Sequence, residues 1–264
     1  MKLNKLAPLS AICIATLIAS GCSSDSQKAN ETLSAQTMTV SQKSNPLATH
    51  GVVTSPNYLA TQAGLDVLRR GGNAVDAAIA TAATLTVVYP QMCTLGGDNF
   101  WLIYNAKTGE LKALNASGRS GSKATIEFYK SKGFEKIPSR GYYAANTVPG
   151  VVSGWDEAYK MSQKEMGSKY KWADILKTPI DYAKNGFPVS TSLNFWTKVD
   201  IDPTDSEFRN LQRFPEFSKV FLKNGTDAYD VGKILVQPEL ANTLSIIAKK
   251  GAKEFYQGKK KKKI

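Results

Sequence analysis

Histidine is almost missing from this chain of 264 residues: there is one, His50. A zinc site built on imidazoles therefore has too few ligands. A relay that pairs a serine or cysteine with histidine is equally poorly supplied. Cysteine is nearly as scarce, at three. Cys13 and Cys22 fall in the N-terminal segment, which leaves Cys93 alone in the body, so no disulfide can form within the body even in an oxidising compartment. A lone cysteine amid apolar neighbours reads as buried filler before it reads as a nucleophile. There is no Gly-x-Ser-x-Gly elbow. The glycine pair in Leu95-Gly96-Gly97-Asp98 lacks the Gly-Lys-Ser/Thr ending of a phosphate loop. No cofactor or metal site is therefore expected. Acidic residues are in deficit, 22 against 34 Lys and Arg, for a net charge of +12. Lys2, Lys5 and Lys259 to Lys263 carry seven of those charges, and with them set aside +12 falls to +5. No basic stripe with interleaved aromatics appears, which argues against a nucleic-acid partner.

The N-terminus is a secretion signal. A positive start, Met1 to Lys5, precedes the apolar run Leu6 to Ser20, too short to span a bilayer comfortably. The run closes on Ala19-Ser20-Gly21-Cys22, which resembles a bacterial lipoprotein signal. Residues 1–21 are expected to be removed and Cys22 to be lipidated. Residues 22–47 are polar and read as a flexible tether. Ser23 after the cysteine, where an aspartate would retain the protein at the inner membrane, points to the periplasmic side of the outer membrane. An ordinary signal peptide with an incidental cysteine is the alternative.

From His50 the chain reads as a globular body, 48–258, without internal repeats. His50 to Thr54 reads as a first strand, and Ser55-Pro56 as a helix start. Leu59, Ala63 and Val67 form an apolar stripe that Gly71-Gly72 stops. Asn73 then caps an alanine-dense helix with Asp76 in its first turn. Its small side chains suit burial against other elements. Phe100 to Tyr104 and Glu110 to Asn115 form a hairpin. A loop, Ala116-Ser117-Gly118-Arg119-Ser120, follows, and then a helix from Ala124. Tyr142 to Thr147 reads as a strand, Trp155 to Ser162 and Lys171 to Asn185 as helices. Thr191 to Trp196 reads as a helical continuation, Phe208 to Phe221 as mixed, and Gln237 to Lys250 as an amphipathic helix.

Five runs in this order carry a resemblance: Gly71-Gly-Asn-Ala-Val-Asp-Ala-Ala78, Leu95-Gly-Gly-Asp98 with Phe100, Val148-Pro-Gly-Val-Val-Ser-Gly-Trp155, Pro238 to Leu244, and Phe255-Tyr-Gln-Gly258. The chain resembles the γ-glutamyltransferases (glutathione hydrolases) and the cephalosporin-acylase-like proteins, over the front part of the large subunit. The resemblance implies an α+β fold, the N-terminal-nucleophile hydrolase αββα sandwich, incomplete in this chain. It implies a precursor that cleaves itself before a threonine. That threonine attacks a γ-glutamyl amide, as in glutathione, with its own α-amino group as base, and the acyl group passes to water or an amino acid. The family's threonine lies beyond the length of this chain, so the resemblance implies a small subunit missing here and no catalytic residue within it. Where the family continues with an acidic residue and a helix, residues 259–264 hold five lysines and Ile264. An adenine-rich gene stretch with a frameshift, a premature stop or a truncated gene model is the expectation, and a naturally short protein the alternative.

The family's carboxylate-gripping arginine after the second hairpin strand maps onto Arg119. Ser117 stands where many transpeptidases place that arginine, and Gly121 where they have proline. The Ser-Gly-Arg form is similar to the acylase-like branch, and a plain surface arginine is the alternative. Two other functions stand beside the enzyme fragment: a lipid-anchored, non-catalytic scaffold derived from the fold, and an unrelated hydrolase, which the missing elbow disfavours.

Overall fold

A computed structural model describes residues 47–202, 204 and 210–258. The signal segment, Cys22 with residues 22–46 of the tether, Phe208 and the lysine run at 259–264 lie outside the described residues. Contacts separate residues 1–50 from a unit beginning at Gly51, and the elements below belong to the second unit.

Helix α1, Tyr58–Arg69, is capped by Asn57, whose side chain accepts from Leu59 N at 2.9 Å. The cap therefore sits two residues beyond Ser55. Asn57 has the extended backbone a cap requires, and Ser55 Oγ is spent on its carbonyl (2.8 Å). Residues 51–55 are irregular rather than a strand. Gly71, at φ +89°, ends the turn after α1 as expected.

Helix α2, Ala74–Val88, opens with a full capping box: Asn73 Oδ1 accepts from Val75 and Asp76 N, while Asp76 Oδ2 accepts from Asn73 N. Its alanines let α1 lie close. A Cβ on Gly64 of α1 would come within 2.2 Å of Thr81 Oγ1. Ile79, Ala83, Val87 and Val88 are fully buried, so α2 is the central helix of the core.

Strands β1, Asn99–Asn105, and β2, Glu110–Ala116, pair antiparallel from Asn99↔Ala116 to Asn105↔Glu110. Trp101 and Ile103 face the core. Phe100, Leu102, Tyr104 and Leu111 face solvent at 62–78% exposure, the period of two that a pleated strand imposes. Helix α3, Ile126–Ser131, is capped by Thr125. The strand expected at 142–147 reduces to one bridge, Ser120↔Thr147. A turn, with Ala144 N bonded to Gly141 O, takes up its first half.

Helix α4, Val151–Met166, starts four residues earlier than the sequence reading, because Gly97 O already receives the Gly150 and Val151 N–H groups. The helix expected over 171–185 is broken into α5, Trp172–Ile175, and α6, Lys177–Asn185. Pro179 has no N–H to give the Ile175 carbonyl. Gly186 (φ +94°) turns the chain into β3, Phe187–Pro188, so helix α7, Thr191–Asp200, is a separate element with Ser190 as its cap. After a 3₁₀ turn at Leu211–Arg213 come α8, Pro215–Phe221, β4, Leu222–Lys223, β5, Asp227–Ala228, and β6, Ile234–Leu235. β4 pairs with β5 and β3 with β6. Helices α9, Pro238–Lys250, and α10, Ala252–Gln257, complete the described residues.

The helices gather around α2, and α4 covers the inner face of the β1–β2 hairpin. Trp155, Phe187, Ile79, Ile175, Leu176, Leu244 and Ile247 are the largest fully buried apolar side chains among the described residues. Among the described residues no helix is long and apolar enough to cross a membrane.

Candidate functional site

Three of the five sequence runs meet at the start of α4. The Gly97 carbonyl of the glycine-pair loop accepts from Gly150 N (3.0 Å) and Val151 N (3.1 Å). These are N–H groups that a helix start leaves without partners. From the other side Tyr256 Oη donates to Pro149 O and accepts from Ser153 N, each at 2.9 Å. Ser153 Oγ donates to Gly150 O (2.7 Å).

The Arg119 loop crosses this junction at backbone contact. Gly118 has φ +74°, and a Cβ there would lie 1.9 Å from Val148 O. One on Gly150 would lie 1.8 Å from Ala116 O. No residue but glycine fits at either point. Val148 N donates to Arg119 O at 2.8 Å, and Gly121 N to Asn146 O at 2.9 Å. The backbone of Arg119 is thereby fixed while its side chain is exposed. Among the described residues nothing bonds to its guanidinium. A planar group so presented can take a carboxylate through two parallel hydrogen bonds, a geometry lysine lacks.

The Gly71 to Ala78 run sits at the opposite end of α4. Asp76 is fully buried. Its carboxylate accepts from Asn73 N (3.0 Å), from Ser162 Oγ (3.0 Å) and from Ser168 Oγ. Neutral donors thus hold the charge in place. Gln237, just ahead of the Pro238 to Leu244 run, donates from its side chain to Val87 O (2.9 Å) and from its backbone to Ala183 O (2.8 Å), tying α9 to α2 and α6.

Sequence reasoning picked out the loop that carries Arg119, and Asn73 with Asp76 at the start of α2, but missed Tyr256 as the clamp on α4. The residue stood in a quoted run, and nothing near it in sequence marks a partner a hundred positions away. Cys93 is half-buried, and burial pushes its thiol up from its ordinary value. That direction opposes thiolate chemistry. Among the described residues no cluster of His, Cys, Asp and Glu is arranged to hold a metal.

Residues 60–264 match the family model described as Gamma-glutamyltranspeptidase. The glutathione hydrolase-like YwrD proenzyme of Bacillus subtilis is 44% identical over 212 residues, covering 80% of this chain and 38% of that protein. The oxamate amidohydrolase proenzyme of Klebsiella pneumoniae is 42% identical over 215 residues, 81% of this chain and 39% of that protein. Among solved structures, Helicobacter pylori gamma-glutamyltranspeptidase superposes with a TM-score of 0.71 at 32% identity, covering 82% of this chain and 59% of the other. The cephalosporin acylase of Bacillus halodurans gives 0.67 at 36% identity, covering 82% and 40%. The chain thus spans about two-fifths of the length of these curated relatives. The mixed helix-and-hairpin architecture is the corresponding part of the N-terminal-nucleophile hydrolase sandwich. With the shared runs packed at both ends of α4 and the fold matched over most of its length, the chain belongs to the gamma-glutamyltranspeptidase family, its likeness falling on the N-terminal part of the relatives.

Proposed function

We propose that this chain is the substrate-gripping front part of an amide-cleaving enzyme, with Arg119 holding the substrate's carboxylate. The carrying observation is the locked backbone and unengaged guanidinium of Arg119. Two relatives bear names that fit this chemistry. Glutathione's γ-glutamyl group carries an α-carboxylate, and oxamate carries one beside its amide. The attacking hydroxyl is that of a threonine supplied by a small subunit, its own α-amino group taking the proton. The acyl-enzyme then passes to water or to an amino acid. The residues present here bind and orient; they do not cut.

The test is release of chromophore from a γ-glutamyl anilide, and of ammonia from oxamate, by the chain alone and after mixing with a separately expressed small subunit. Turnover only in the mixture supports the reading, and turnover by the chain alone overturns it. A folded chain that stays inert in the mixture favours a non-catalytic scaffold. In the active mixture Arg119→Lys should raise KM about tenfold or more, the loss of one arm of a bidentate pair, with kcat less affected. An unchanged KM removes Arg119 from the site.

We also propose that Cys22 carries lipid and holds the body at the periplasmic face of the outer membrane. Its support is the Ala19-Ser20-Gly21-Cys22 run and the polar tether behind it. Cys22→Ser should move the protein from the detergent phase to the aqueous phase. Equal partitioning of both forms would refute the anchor.

A further inference from the structure

The open end of the β1–β2 hairpin stands at the start of α4. Asn99↔Ala116 is its last pair, so Asp98 enters one strand where Ser117, Gly118 and Arg119 leave the other. Both loops rest on Gly150. Gly97 O accepts from Gly150 N at 3.0 Å, and a Cβ on Gly118 would stand 3.5 Å from the same nitrogen. Asp98 and Arg119 thus each follow directly on a glycine packed against Gly150.

The backbone around Asp98 is held as firmly as that of Arg119. Gly97 N donates to Thr94 O at 3.2 Å, the Gly97 carbonyl takes two N–H groups of α4, and Asn99 opens the strand ladder. The Asp98 side chain is left over. An aspartate in a turn commonly bonds the backbone two residues on. Here the carboxylate is exposed, and among the described residues nothing bonds to it. Across the three segments that meet, 94–101, 115–121 and 146–154, Asp98 and Arg119 are the only charged residues. The two do not pair with each other.

One unengaged anion and one unengaged cation, on loops fixed to the same glycine, are complementary to a dipolar head group. We propose that Asp98 is a substrate-binding residue that takes an ammonium group beside the carboxylate held by Arg119. The preferred substrate is then an amide on the side chain of an α-amino acid, and not an amide acid without the amino group, such as oxamate. The inference rests on the carboxylate grip of Arg119 proposed above. An ammonium offers three donors to a carboxylate, and such charged hydrogen bonds exceed neutral ones. A substrate lacking it brings a second negative charge towards Asp98 with nothing to offset it.

Isothermal titration of the full chain with L-glutamine and with glutaramate, the same molecule without its α-amino group, tests the proposal. Glutamine should bind about threefold or more tighter than glutaramate, the size of one exposed charge contact. Asp98→Asn keeps the shape and removes the charge. It should close that gap by weakening glutamine alone, and its unchanged affinity for glutaramate shows that it folds. Arg119→Ala should weaken both ligands about tenfold or more. Equal affinity of the parent for the two ligands, with both lost in Arg119→Ala, would overturn the ammonium site and leave the carboxylate grip standing. A gap that survives Asp98→Asn, or equal weakening of both ligands by it, would also overturn the role of Asp98. Binding of neither ligand, or binding indifferent to Arg119→Ala, would remove the grip and this inference together.

Discussion

Asp76 is fully buried and serves two helices at once. It satisfies the start of α2 and, through Ser162 and Ser168, holds the far end of α4. Truncation removes the acceptor of three donors, the part-buried Asn73 N and Ser168 Oγ and the buried Ser162 Oγ, and opens space in a closed site. Asp76→Ala should therefore lower the unfolding free energy by about 3 kcal/mol or more, read as the midpoint shift in urea. A loss under about 1 kcal/mol would mean that the network is dispensable. Gly118 and Gly150 work through the backbone instead. Each lets two segments touch where any side chain would collide with a carbonyl. The place of Asp76 in the first turn of the helix that Asn73 caps was legible in the sequence, because a cap is a local pattern, although the bond it returns to Asn73 N was not read from it. Its bonds to Ser162 and Ser168 were not, since 86 and 92 residues separate the partners. The loop position of Arg119 was also legible. That its main chain bonds to Val148 was not.

The β1–β2 hairpin is the element that most needs something else. Its inner face meets α4, and its outer face presents Phe100, Leu102, Tyr104 and Leu111 in register, with no described residue over them. Contiguous apolar surface of this kind is an association site or an aggregation hazard. Leu102 is 78% exposed. Leu102→Ser should therefore leave unfolding stability within about 0.5 kcal/mol, while slowing aggregation and lowering the fluorescence of an apolar dye. Unchanged aggregation would place the hazard elsewhere. Regular elements with strong periodicity, α1, α2, α9 and the hairpin, were readable within one to three residues at each end. The failures share a cause. Ser55 lost its cap role to Asn57, Pro179 divided one helix into two, and the turn at Gly141 displaced a strand. Each was decided by one hydrogen bond made or lost, and short-range pattern does not rank such local choices.

At the largest scale, the described residues from Gly51 onward are helices with three two-stranded sheets, and the chain matches the front part of proteins more than twice as long. Its family and fold were readable from five short runs, three of which meet at the start of α4. If a small subunit docks as proposed, it binds the folded form and not the unfolded chain. The apparent Tm of the chain should then rise with the partner's concentration, by roughly 2.7 kcal/mol of stabilisation at a hundredfold excess over Kd. A melting curve indifferent to the partner would disprove docking.

Helix α4 is fastened at both extremities: by Gly97 and Tyr256 at its beginning, and by Asn73 and Asp76 near its close. Sliding it one residue, a rise of about 1.5 Å, would sever the moorings at the two ends together. It therefore behaves as a beam and not as a piston. Any motion that admits or releases a molecule near Arg119 must come from the loops resting on that beam.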